Sequence, residues 1–79
     1  MQTIFVQIKC ELGQSYRAAE ELVEINGVSE VYSISGPYDL LVKCYVRDDG
    51  DVGHFVNNQV QSVSGIRDTL TIITFNAFG

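Results

Sequence analysis

Val28-Ser29-Glu30-Val31-Tyr32-Ser33-Ile34, then Ser35-Gly36-Pro37-Tyr38-Asp39, then Leu40-Leu41-Val42-Lys43-Cys44-Tyr45-Val46, reads as a β-hairpin. Two apolar runs flank five residues of turn chemistry. Gly36 reaches backbone conformations that a Cβ forbids, and Pro37 presets the turn. Tyr38 and Asp39 add a ring and a carboxylate at the mouth of a sheet. A hairpin needs only its turn, so this tip is also a candidate for holding a small polar molecule.

The segments outside the hairpin extend the pattern. Thr3 to Cys10 alternates Ile4, Val6, Ile8 and Cys10 with Phe5, Gln7 and Lys9, as a strand with one strongly apolar face does. Gly13-Gln14-Ser15 opens a helical run in which Ala18, Ala19, Leu22, Val23 and Ile25 share one side. Asn26-Gly27 stops it. Beyond the hairpin, Asp48-Asp49-Gly50-Asp51 supplies caps and acids suited to the positive end of a helix dipole. Val52, Phe55, Val56, Val60 and Val63 then recur at helical spacing, Ser64-Gly65 ends that helix, and Ile66 to Phe78 reads as a long last strand.

The order β-α-β-β-α-β predicts one α+β domain over residues 1–79. Its expected architecture is ferredoxin-like, a four-stranded antiparallel sheet with both helices on one face. Ile4, Val6, Ile8, Leu40, Val42, Cys44, Leu70 and Ile72 are the expected helix-facing core. Phe5, Leu41, Tyr45, Ile73 and Phe75 would lie on the uncovered face with Thr69 and Thr71. Small soluble proteins seldom leave such a patch in water. Sheet-to-sheet pairing would bury it, so a homo-oligomer is expected.

Composition narrows the function classes. A chain of 79 residues buries only about 60–65% of its unfolded surface, so association would help its stability. Ten acids against five bases give a net charge of −5, and Lys9, Arg17, Lys43, Arg47 and Arg67 form no basic run. Direct nucleic-acid binding and docking on an anionic membrane are disfavoured. No apolar run approaches the ~18–20 residues that span a bilayer, and the N-terminus lacks a charged leader pattern, so the expected location is cytoplasmic. Cys10 and Cys44 lie far apart in strand-like runs and read as buried thiols, with no metal site and no cofactor expected.

Catalytic cues are sparse. His54 is the only histidine, and the aspartates of the 48–51 run read as caps. Asp39 keeps two readings: a carboxylate taking backbone N–H groups of its own turn, or a group that fixes a ligand ammonium. Tyr38 is open between a turn aromatic and an oligomer contact. Thr69, Thr71 and Thr74 suit a strand by propensity, while their hydroxyls could also serve a ligand at a subunit seam.

The run Val28-x-x-Val31-Tyr32-Ser33-Ile34-Ser35-Gly36-Pro37-Tyr38-Asp39-Leu40-Leu41, with Gly65-Ile66-Arg67-Asp68-Thr69 before the last strand, resembles the effector-binding (RAM) domain of Lrp/AsnC transcriptional regulators. The resemblance runs from Gln2 to Phe78 and departs at Ser64, where proline is usual. Regulators of this kind carry a helix-turn-helix ahead of the domain. Here the first strand begins at residue 2 or 3, so the resemblance implies a stand-alone module without its own DNA-reading head. It implies dimers formed through the sheets and assembled into an octamer or similar ring, with an amino acid bound at the seams. Carried over by position, the ligand residues would be Ser35, Gly36, Tyr38, Asp39, Leu40, Thr69 and Thr71, with Leu40 and Ile34 as an apolar rim. A full-length Lrp/AsnC regulator is an implied partner. Two alternatives stand beside this non-enzymatic reading: a small cofactor-free enzyme of the dimeric α/β-barrel group, and an ACT-like regulatory domain.

Overall fold

Strict alternation along Gln2–Cys10 makes β1 a central strand, with Ile4, Val6, Ile8 and Cys10 all buried. The computed structural model describes residues 1–79. The other strands are β2 (Val28–Ser33), β3 (Leu40–Val46) and β4 (Ile66–Ile73). They form one antiparallel sheet in the order β2-β3-β1-β4. This is the ferredoxin-like plan predicted from the sequence, and the two strands with the cleanest alternation, β1 and β3, occupy its centre.

The helices cover one face. Helix α1 (Ser15–Leu22) inserts Ala18 and Leu22, but it ends before Val23, which is exposed. Arg17 ties it to the lead-in of β4. The guanidinium donates to the Gln14 side chain at 2.8 Å, to Glu21 at 2.6 Å and to the Ser64 carbonyl. Gly65 has φ +90°, and a Cβ there would come within 2.7 Å of the same guanidinium. Helix α2 (Val52–Phe55) starts at Asp51, whose Oδ1 accepts the His54 N–H at 2.9 Å. It continues as a π-helical segment, Val56–Val60, in which the Gln61 N–H reaches back five residues to the Val56 carbonyl. Val56, Val60 and Val63 close the core from this side. No helix is long and apolar enough to cross a membrane.

Only thirteen residues are buried, all of them apolar or cysteine. Each aliphatic side chain among them stabilises the fold by about 1.5–3 kcal/mol. A core this small leaves much apolar surface on the sheet's other face.

Strand β4 departs from the sequence reading. Phe5 pairs with Ile72, Gln7 with Leu70, Ile4 with Ile73, Val6 with Thr71 and Ile8 with Thr69. Directly opposed residues share a face, so Leu70 and Ile72 belong to the uncovered side, while Thr69, Thr71 and Ile73 face the helices. A one-residue change of register inverts every side chain of a strand. The segment sets Leu70 and Ile72 against Thr69 and Thr71, and its pairing with β1 turns the more apolar parity to the uncovered face, opposite to what burial by pattern alone suggests. The strand also stops at Ile73, and Thr74 ends the ladder with its N–H and hydroxyl both on the Thr3 carbonyl.

Candidate functional site

The hairpin closes through the Ile34 N–H, which donates to the Asp39 carbonyl at 2.9 Å. Between them Gly36 sits at φ +100°, with open space where a Cβ would go. Backbone conformation, and not crowding, therefore demands glycine here. Ser35, Gly36 and Pro37 are exposed, and Tyr38 is half-buried.

Asp39 fastens this tip to the neighbouring strand. Its N–H donates to the Ile8 carbonyl at 2.8 Å. Its Oδ2 accepts the Cys10 N–H at 2.8 Å and lies 3.7 Å from Lys9 Nζ. The carboxylate thus serves β1, a role that neither of its two sequence readings, turn N–H groups or a ligand ammonium, names. Cys10 needs this partner because its N–H faces the hairpin, beyond the Ile8–Leu40 pair where the β1–β3 ladder ends. Burial, followed by the nearby Asp39 charge, raises the Cys10 thiol above its ordinary range. Asp39 Oδ1 makes no hydrogen bond within the chain and remains able to accept one.

Thr69 and Thr71 lie on the helix side of β4. Gln61 Nε2 donates to Thr69 Oγ1 at 2.7 Å. Thr71 lines a depression of about 380 Å³ with Val52, Gly53, Val56, Asn57, Gln61 and Ile73, where the π-helical segment meets the sheet edge. A second, of about 270 Å³, is lined by Gln61, Ile66, Arg67, Asp68 and Thr69. Leu40, Ile8 and Thr69 share one row across the sheet, so hairpin and threonines occupy the same end of the molecule. With β1 between them, they stand roughly 10 Å apart, two strand spacings. One chain does not join them in a single crevice. Leu40, expected at the rim, is fully buried in the core and cannot touch a ligand, whereas Ile34 is half-buried.

The uncovered face carries Phe5, Leu41 and Tyr45 as expected, joined by Leu70, Ile72 and Tyr32. Ile73 faces the helices instead, and Phe75 lies beyond the strand, almost fully exposed. Lys43 crosses this face, 3.6 Å from Glu30 and 5.4 Å from the centre of the Tyr45 ring. Its ammonium pKa is raised, first by Tyr45 and then by Glu30. The Tyr32 hydroxyl donates to Glu30, and that bond followed by the Glu30 charge raises its pKa. A groove of about 790 Å³ runs between Thr3, Phe5, Lys43, Tyr45 and the tail residues Phe75 and Phe78. Sequence reasoning missed Gln61, Lys9 and Arg17, whose partners lie 8, 30 and 47 positions away in the chain.

Residues 3–78 match the pattern of the Lrp/AsnC ligand binding domain. An uncharacterized HTH-type transcriptional regulator of Pyrococcus abyssi is 33% identical over 60 residues, which are 76% of this chain and 40% of the regulator. A homocitrate synthase of Saccharolobus islandicus is 34% identical over 67 residues, which are 84% of this chain and 14% of the enzyme. The chain therefore spans well under half the length of these relatives. Among solved structures, TTHA0845 from Thermus thermophilus superposes with a TM-score of 0.91 at 32% identity, covering 100% of this chain and 99% of that one. AsnC of E. coli superposes with a TM-score of 0.84 at 25% identity, covering 96% of this chain and 52% of AsnC.

Proposed function

The chain belongs to the Lrp/AsnC ligand-binding domain family, and from that premise we propose that it is a non-enzymatic regulatory module in which bound amino acid controls assembly. Copies pair through the uncovered sheet face, and the pairs associate further into a ring. Ligand sits at the seams, between the hairpin tip of one chain (Ser35, Gly36, Tyr38, Asp39) and the Thr69–Thr71 edge of another. The observation that carries this reading is the apolar face itself. Leu70, Ile72, Tyr32 and Tyr45 are exposed on it, with Phe5 and Leu41 half-buried beside them.

The roughly 10 Å between tip and threonines, two strand spacings, supports a seam and not a private pocket. A ligand touching two chains stabilises the assembly that completes its site, and shifts populations by its differential affinity. Asp39 Oδ1 suits an ammonium, and the exposed N–H groups around Gly36 suit a carboxylate. The same pattern occurring within a regulator and within a biosynthetic enzyme supports a module whose output depends on what it is joined to or pairs with. A full-length Lrp/AsnC regulator, met through the same sheet face in the cytoplasm, is the partner this favours.

Native mass spectrometry with each of the twenty proteinogenic amino acids tests the proposal. The expected result is a shift in oligomer distribution with one chemical group of amino acids. Unchanged spectra with all twenty would overturn ligand control, even if the oligomer itself persisted.

A further inference from the structure

Four of the five basic side chains have a carboxylate partner: Lys9 with Asp39, Arg17 with Glu21, Lys43 with Glu30 and Arg47 with Asp49. Arg67 has none, in a chain with twice as many acids as bases. Its backbone position is unusual too. Lys9 pairs with Asp68 and Cys10 with Ile66, so Arg67 is the extra residue of a β-bulge on the open edge of the sheet. Bulges re-aim side chains, and they concentrate beside binding sites.

The bulge sets Arg67 at the depression it shares with Gln61, Ile66, Asp68 and Thr69. Gln61 donates to the Thr69 hydroxyl, which leaves the hydroxyl proton free to be donated in turn. Asp68 Oδ1 accepts the Thr69 N–H at 2.9 Å, while its Oδ2 has no partner. A guanidinium and a hydroxyl donor beside a half-engaged carboxylate match the two ends of a zwitterion.

We propose that Arg67 is the carboxylate anchor of an α-amino-acid site at this bulge, with Asp68 receiving the ammonium group. The inference rests on the amino-acid reading above and assigns the ligand's two charges primarily to the β4 side of the seam, with the Gly36 N–H groups and Asp39 Oδ1 of the other chain as additional contacts. An arginine fork grips a carboxylate through two parallel hydrogen bonds, which neither a lysine nor an amide reproduces.

Calorimetric titration with the twenty amino acids, and with the α-carboxamide of each one that binds, tests this on the intact chain. The unmodified protein is expected to bind the free acid at least about tenfold more tightly than its carboxamide. Arg67→Gln should abolish that preference and weaken the acid at least about tenfold, with unchanged thermal unfolding. Asp68→Asn should weaken both ligands, since both keep the ammonium. Equal binding of acid and carboxamide, or full affinity in Arg67→Gln, would refute the anchor while leaving amino-acid sensing intact. Loss of oligomer mass in Arg67→Gln with affinity retained would also refute it, and would assign Arg67 to a contact between chains. No binding by the unmodified protein would remove both proposals together.

Discussion

Replacing Asp39 with alanine deletes a hydrogen bond that crosses from the hairpin to β1. The Cys10 N–H loses its acceptor at 2.8 Å, just past the end of the β1–β3 ladder where no strand carbonyl takes over. A hydrogen bond to a charged group contributes about 1.5–3 kcal/mol. The ion pair with Lys9, at 3.7 Å and with both side chains about one-third exposed, adds no more than ~1 kcal/mol after screening. The expected loss is therefore about 2–3 kcal/mol, a large share of what a domain this size possesses. At about 4–8 °C per kcal/mol, the unfolding midpoint should fall by roughly 10–20 °C. Asp39→Asn keeps an acceptor for the Cys10 N–H and should lose only about 1 kcal/mol. Scanning calorimetry at one fixed protomer concentration measures both, since association also moves the midpoint. Asp39→Ala melting within ~2 °C of the parent would refute the strand-fastening role and return Asp39 to a purely ligand-facing one.

Three further outcomes follow from the packing. Ile72→Lys puts a charge on the bare face and should dissociate oligomers, whereas Ile73→Lys, on the helix side, should leave their mass unchanged; native mass spectrometry of the two variants checks the parity of β4. Leu40→Ala should cost about 2–5 kcal/mol in denaturant unfolding, as deletion from a fully buried site does, and should act on affinity only through the fold. Burial pushes the Cys44 thiol from 9.0 up to about 11, so the unfolded chain loses this proton first. Stability should be intact below about pH 9 and decline by about 2 kcal/mol as pH rises toward about 11, and Cys44→Ala should flatten that decline in urea titrations.

The sequence made the elements legible wherever a single period dominated. β1 alternates without exception, and the residues it marked as core are the buried ones. The hairpin was legible from Gly36-Pro37, and Asp51 from its place before a valine-rich helical pattern. β4 failed because its more apolar parity, Leu70 and Ile72, lies on the uncovered face, and only long-range pairing with β1 reveals which side that is. The π-helical segment left no local mark, since Val56 and Val60 have the spacing of an ordinary helix. Of the candidate site, the tip was legible and its attachment was not. The Asp39 carboxylate reaches 29 residues back along the chain, and Gln61 reaches Thr69 through the fold. Hydrogen bonds of that kind have no sequence period to betray them.

The most direct test of the central claim, that a second chain covers the face around Phe5, Leu41, Leu70 and Ile72, is sedimentation equilibrium of the unmodified protein at micromolar concentration. A covered face predicts the mass of a dimer or a larger even-numbered assembly, with Ile72→Lys reverting to 8.8 kDa. A well-behaved 8.8 kDa species for the unmodified protein across that range would contradict it.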